Sequence, residues 1–472
     1  MTRRAATLVT LLIVGSALAG CSRKPVLIAL EKDQTRRPEE WLRQEPVRLL
    51  RDYVRLDTTS GVGEKEGAEF LRRLLECGSL ETEIVCPAPR RCNLLARLPG
   101  RRREGALLLL NHIDVVEAFR EFWKESLPFE GRIKLGYLYG RGSYDMKSFG
   151  LIQALALKSL AEQGVVPDSD ILFLGEADEE TGQRWGSRWL LEHRPEWFAG
   201  VSYVLNEGGT NEMILRDVRF WGIETLQAGY SLLELEASEK GPLEDLAKRW
   251  PKLSGASVAP HPHVVLGFDM LANHLRHPLT DPLRHLDRVR GNPEELAVLP
   301  DRYGVFLEPR IRWSPPYAYP PGAKGNVRRY ALVSTPPGVD PAIFAGPIEK
   351  DARRVARVLS VSGSGPTQAS PYPTPLTELL RQVIQARHPG IPFGPVPTFD
   401  GWTTSNDFRK LGITAYGFSP IPANITDSSR RHGNDERIFL RDYLDGLEIL
   451  ENALGGFAVA PGNKTSGASP PE

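Results

Sequence analysis

The chain has 472 residues, more than one hydrophobic core ordinarily supports, so two or three domains are expected. Apolar residues make up 41% and charged residues 25%, the balance of a folded globular protein. Lys plus Arg and Asp plus Glu both number 59, so no basic excess exists to displace counterions from phosphates, which excludes the usual electrostatic route to nucleic-acid binding.

Arg3 and Arg4 precede an apolar stretch from Ala5 to Leu18, followed by small residues and Cys21. This is the pattern of an export signal over residues 1–20, too short to read as a membrane span. Leu18-Ala19-Gly20-Cys21 also resembles the lipobox of bacterial lipoproteins, whose signal is cut before a cysteine that then carries lipid. That resemblance implies an exported protein, lipid-anchored to a bacterial membrane through Cys21 and facing outside the cytoplasm. An ordinary cleaved signal with a chance cysteine is the alternative. For Cys77, Cys86 and Cys92 the oxidising compartment leaves two readings open: one disulfide, with Cys86 and Cys92 nearest in sequence, or free thiols.

Residues 21–40 read as a polar tether. Helical spacing begins at Glu45 and returns over Glu66–Leu75, and Asn93–Leu98 and Ala106–Leu110 are short apolar runs suited to buried strands. Ser148–Gln163 and Ser187–Glu192 read as helices, with Ile171–Leu174 and Val201–Leu205 as strands. This alternation predicts an α/β fold, a mostly parallel sheet covered by helices on both faces. After Met213 the pattern changes: Ser231–Ala237, Val264–Met270 and Tyr330–Ser334 read as strands of an inserted, smaller α+β domain at 216–348. Helix and strand alternation resumes at Leu376–Arg387, Ile413–Phe418 and Leu440–Leu454. The first domain is therefore expected from segments 41–215 and 349–458, with a disordered tail at 459–472.

Polar motifs follow the apolar runs. The strand ending at Leu110 leads into Asn111-His112-Ile113-Asp114, and residues two apart on a strand face the same side, so His112 and Asp114 can act together. Gly140-Arg141-Gly142-Ser143-Tyr144-Asp145 predicts a tight turn placing Asp145 before a helix, where it could equally be a cap. Glu176-Ala177-Asp178-Glu179-Glu180 and Asn206-Glu207 each follow a strand, at the edge where parallel sheets place their sites. Arg431-His432-Gly433-Asn434-Asp435-Glu436 puts a histidine in a polar turn.

This ordered set resembles the zinc exopeptidase family of carboxypeptidase G, carboxypeptidase S, aminoacylase and succinyl-diaminopimelate desuccinylase (clan MH), over roughly residues 45–455. The resemblance implies that His112 and Glu207 ligate a first zinc, that Glu180 and His432 ligate a second, and that Asp145 bridges the two. It further implies that Asp114 orients His112 and that Glu179 is the general base. The expected cofactors are two zinc ions per chain, with cobalt or manganese as substitutes. The expected activity is cleavage of an amide bond in small peptides or N-acyl amino acids by a metal-activated water, and the inserted domain is the family's lid.

The pattern departs from the family in that lid. The equivalent of its glycine-histidine motif, Glu234 to Leu243, lacks histidine; His261 and His263 lie further on, either as substitutes or as solvated loop residues. Ser334 stands where the family's lid arginine is expected, while Asn326 resembles the asparagine before that strand. Asp400 to Asp407 resembles a substrate loop with altered spacing. Monomer and dimer are both open. The missing histidine motivates an alternative function, a lipid-anchored metal-containing binding protein without turnover.

Overall fold

The computed structural model describes residues 32–214, 217–253, 255, 257–274, 280–318, 326–398 and 401–459. The signal, Cys21 and residues 460–472 of the expected tail lie outside them. A ten-stranded sheet forms the larger domain. Its strands are β1 (Glu81–Ala88), β2 (Arg91–Leu98), β3 (Arg102–His112), β4 (Ser169–Glu176), β5 (Val201–Asn206), β6 (Thr210–Ile214) and β7 (Asp217–Leu226). After the insertion come β12 (Phe393–Pro397), β13 (Thr414–Gly417) and the two-residue strand Ala423–Asn424. The spatial order is β1-β2-β4-β3-β5-β13-β7-β6 and then Ala423–Asn424, with β12 beside β7. The central run β4-β3-β5-β13 is parallel, while antiparallel pairs flank it.

Burial on β3 explains why its apolar run is continuous. Leu107 and Leu109 pack into a core with helices α1 (Glu45–Val54), α2 (Lys65–Leu75), α3 (Lys147–Glu162), α7 (Pro375–Arg387) and α8 (Leu440–Val459). Ala106, Leu108 and Leu110 face the opposite core, with Leu190, Phe198 and Phe408. Two buried faces remove any need for polar alternation.

The lid is a second, five-stranded sheet, ordered β9-β10-β8-β11, with Tyr317–Ala318 paired to β10. Its strands are β8 (Gly229–Ala237), β9 (Arg310–Trp313), β10 (Val327–Thr335) and β11 (Arg357–Gly363). Helices α4 (Lys240–Arg249) and α6 (Ala342–Ala352) contribute buried residues to its core. The expected boundaries at 216 and 348 therefore move: β7 belongs to the large sheet, and α6 and β11 belong to the lid. The expected tether also shortens, because residues 32–35 and Pro38–Trp41 are helical and Trp41 is buried.

Val264–Met270, expected as a strand, lies within helix α5 (Pro262–His274). Val264, Phe268, Leu271 and Ala272 are buried while Val265 and Leu266 are exposed, a helical stripe that a short apolar run disguises. This helix opens a run of helices to Gly304 with its own core, which includes Phe220 and Leu226 of β7. Gly267 permits the docking, since a Cβ there would meet the Pro395 carbonyl oxygen at 2.9 Å. Although inserted in the lid, this helical segment is thus seated on the large sheet.

Candidate metal centre

The parallel strands β3, β4 and β5 end at His112, Glu176 and Asn206, so their following residues converge at one sheet edge. Asp145 arrives from the loop before α3, and His432 from the turn before Arg437. His112 Nε2 is 3.2 Å from Asp145 Oδ1 and 3.9 Å from Glu207 Oε1. His432 Nε2 is 3.1 Å from both Asp145 Oδ2 and Glu180 Oε1. The two oxygens of Asp145 thus face two different donor sets. Glu179 joins His112 and Glu207, with ligand atoms of the three within 4.8 Å of one another.

The role of Asp114 differs in detail from the expectation. The Nδ1 edge of His112 meets the Asp114 backbone carbonyl at 2.8 Å, whereas the carboxylate lies 3.7 Å away. That carboxylate instead accepts the amides of Glu179 at 3.1 Å and Glu180 at 3.0 Å. One residue therefore orients both the imidazole and the acidic pair.

The electrostatics fit a cation pair. Burial, then the Glu207 carboxylate, raises the Glu179 pKa well above its usual value. Burial and Asp145 push Glu207 up to about 7. Burial opposes charge on His112, yet its bond to Asp145 and the surrounding carboxylates outweigh that and raise its pKa. Bonds to Asp145 and Glu180 raise His432 to about 10. The crowding of these carboxylates thus favours positive charge at this sheet edge. Imidazole nitrogens and carboxylate oxygens at this spacing are donors suited to borderline divalent ions such as zinc.

A supporting layer was not foreseen as functional. Glu436, fully buried, accepts the amides of Gly142 at 3.1 Å, Tyr144 at 2.8 Å and Asp145 at 3.0 Å, and pairs with the buried Arg141. Gly142 sits at φ 84°, and a Cβ there would meet Val115 Cγ1 at 2.9 Å, so this loop requires glycine. On the other side Gln183 Nε2 donates to Glu179 Oε1 at 3.2 Å and to Thr404 Oγ1 at 2.8 Å. Asn93 accepts the Ala177 amide and donates to the Trp185 carbonyl, both at 2.8 Å, bracing the loop that carries Glu179. Arg141 and Glu436 lie within motifs visible in the sequence, but only folding pairs them.

The centre opens into a cleft of about 510 Å3 whose wall includes Leu271, Arg302 and Tyr303 of the helical insertion, Trp402, and Arg431. Neither His261 nor His263 lines it. His263 is half-buried with Nδ1 3.1 Å from Thr225 Oγ1, so it is neither a cleft histidine nor a solvated one. Asn326 is exposed at the start of β10. Of the expected substrate loop, Gly401, Trp402 and Thr403 line the cleft, and Asp400 lies outside the described residues. Cys86 and Cys92 form a disulfide across the β1–β2 hairpin, and Cys77 is free.

The sequence profile of Peptidase family M20/M25/M40 matches residues 108–455. Human aminoacylase-1 is 32% identical over 439 residues, covering 88% of this chain and 96% of that protein. A probable succinyl-diaminopimelate desuccinylase of Staphylococcus aureus is 32% identical over 149 residues, 32% of this chain. That match spans only 36% of the desuccinylase's own length. Among solved structures, an M20 family metallo-carboxypeptidase from Sulfolobus solfataricus has a TM-score of 0.65 at 16% identity, covering 88% of this chain and 100% of that one. Human carnosine dipeptidase 1 has a TM-score of 0.64 at 17% identity, covering 91% and 100%. At such identities these structures speak for the fold.

Proposed function

This chain belongs to peptidase family M20/M25/M40, and from that premise we propose that it is a two-zinc hydrolase cleaving an amide bond in small peptides or N-acyl amino acids. The observation that carries the reading is the division of Asp145, one oxygen toward His112 and the other toward His432. His112, Glu207 and Asp145 would hold one ion; Glu180, His432 and Asp145 would hold the other. The substrate class rests on relatives described as a desuccinylase and an aminoacylase.

Bound divalent ions supply Lewis-acid chemistry, acidifying water and polarising a carbonyl. The chain's own part is proton handling and positioning. Glu179 takes a proton on its carboxylate and returns it to the leaving nitrogen. Its raised pKa, set by burial and Glu207, suits both directions of transfer. Gln183 fixes the orientation of that carboxyl through Oε1. Asp114 keeps Glu179 and Glu180 in register by accepting both amides.

We further propose that the protein works outside the cytoplasm, lipid-anchored through Cys21; the Cys86–Cys92 disulfide supports an oxidising compartment. The deciding experiment strips the purified chain with chelator, restores zinc, and screens dipeptides and N-acyl amino acids. Zinc-dependent turnover with two ions per chain is expected, and a folded, zinc-loaded protein that hydrolyses none of them rejects the reading. Asp145→Ala should reduce bound zinc to at most one ion by elemental analysis, and retention of two would remove Asp145 as the bridge.

The metal-free protein should lose stability as pH rises from about 5 to 8. Glu179, Glu207, His112 and His432 all bind protons more tightly folded than unfolded. The unfolded chain therefore holds fewer protons in this window, and unfolding free energy falls with pH. Calorimetry should show Tm falling over that range without metal and held up by zinc. A Tm that rises with pH in the stripped protein would contradict the clustering of these groups.

A further inference from the structure

We propose, on the premise that this centre is the hydrolytic site, that Thr404 is a positioning residue which acts through Gln183 to fix the oxygen of Glu179 that takes the proton. Glu176, Thr404 and Gln183 form a hydrogen-bonded chain leading to Glu179. Glu176 ends β4, Gln183 lies in the loop that follows, and Thr404 precedes the short helix Ser405–Lys410. All three side chains are buried.

The direction of this chain is set from its far end. Glu176 accepts the Ser187 amide on Oε2 at 2.8 Å and the Thr404 hydroxyl on Oε1 at 2.7 Å. A hydroxyl has one hydrogen, so Thr404, having given it to Glu176, can only accept from Gln183. Gln183 Nε2 donates to Thr404 Oγ1 at 2.8 Å and turns its other hydrogen to Glu179 Oε1 at 3.2 Å. Turning the amide over would set its oxygen against two acceptors, Thr404 Oγ1 and Glu179 Oε1. Glu179 Oε1 is thereby held as an acceptor, which leaves Oε2 to take a proton from water and give it to the leaving nitrogen. Backbone contacts anchor both ends. The Gln183 amide donates to the Asp178 carbonyl at 2.6 Å. Gln227, buried just after β7, accepts the Thr403 amide on Oε1 at 3.0 Å and donates from Nε2 to the Thr403 carbonyl at 3.3 Å. Trp402 and Thr403 line the cleft, so the turn that builds its wall also sets the proton-transfer group.

The test follows the fastest substrate of the dipeptide and N-acyl amino acid screen on the full zinc-loaded chain. Thr404→Val keeps the side-chain shape and removes the hydroxyl. It should lower kcat by about 10- to 100-fold, the cost of a misplaced reacting group, with KM and zinc content close to native. Thr404→Ser, which keeps the hydroxyl, should recover most of that kcat. Gln183→Met breaks the chain at a second point and should lower kcat likewise. The double variant should fall no more than about threefold below the slower single one, since both act along one path. In the Glu179→Gln background, Thr404→Val should change the residual rate by no more than about threefold, whereas a loss of packing alone would lower it in full. Should Thr404→Val fail to fold, Gln183→Met in the native and Glu179→Gln backgrounds decides in its place. Native kcat in Thr404→Val overturns the proposal, as does a loss that serine leaves unrepaired or that persists in full beside Glu179→Gln. Failure of the hydrolase reading is separate: the native zinc-loaded chain would then turn over nothing in the screen, and the assignment of Thr404 would fall with it.

Discussion

In the zinc-loaded protein, Glu179→Gln should lower kcat by about 10²- to 10⁴-fold, the range expected when a general acid–base group is removed. The substitution is close to isosteric, and the amide oxygen can still accept from Gln183, which sits 3.2 Å from Glu179 Oε1. What disappears is a group able to take up and return a proton. Zinc content should remain at the native value, because the ion sites are assigned to His112, Glu207, Asp145, Glu180 and His432. Glu180→Gln provides the contrast: its Oε1 faces His432 at 3.1 Å, so that variant should lose zinc together with activity. Steady-state kinetics beside elemental analysis separates the two. A Glu179→Gln enzyme with kcat within about threefold of native would remove Glu179 from the proton-transfer role.

The catalytic domain was legible in sequence because its central strands β3, β4 and β5 are largely buried on both faces and each is followed by a short polar motif. Continuous apolar runs mark Ala106–Leu110 and Ile171–Leu174, and chemistry sits just past their ends. The lid was less legible. Val264–Met270 is apolar enough for either periodicity, and only its docking against β12 and β7 selects the helix. The boundary at 216 failed because β7 continues the large sheet after a change in sequence character that looked like a domain switch. The pairing of Glu436 with Arg141 is illegible in the sequence for another reason. They are 295 residues apart, and no local pattern marks a buried acid that collects three amides from a distant loop. Asp114 was visible as a partner of His112, but its grip on the Glu179 and Glu180 amides needs the folded sheet edge.

That buried pair sets up the largest stability effect expected. Glu436→Ala should destabilise the fold by about 3–5 kcal/mol, because it leaves Arg141 charged and without its carboxylate partner in a dry interior. It also leaves the amides of Gly142, Tyr144 and Asp145 without their acceptor, an added desolvation penalty. Asp145 is set by those bonds and faces both donor sets, so zinc affinity should fall at both sites together rather than at one. Chemical denaturation of the stripped protein measures the first effect, and zinc titration measures the second. Removing both partners discriminates charge from geometry. Arg141→Met with Glu436→Ala should be less destabilised than Glu436→Ala alone, since no unpaired charge remains, yet its zinc affinity should stay low because the amides still lack an acceptor. If zinc affinity returned with the double substitution, the loop would be held by burial alone and Glu436 would have no positioning role.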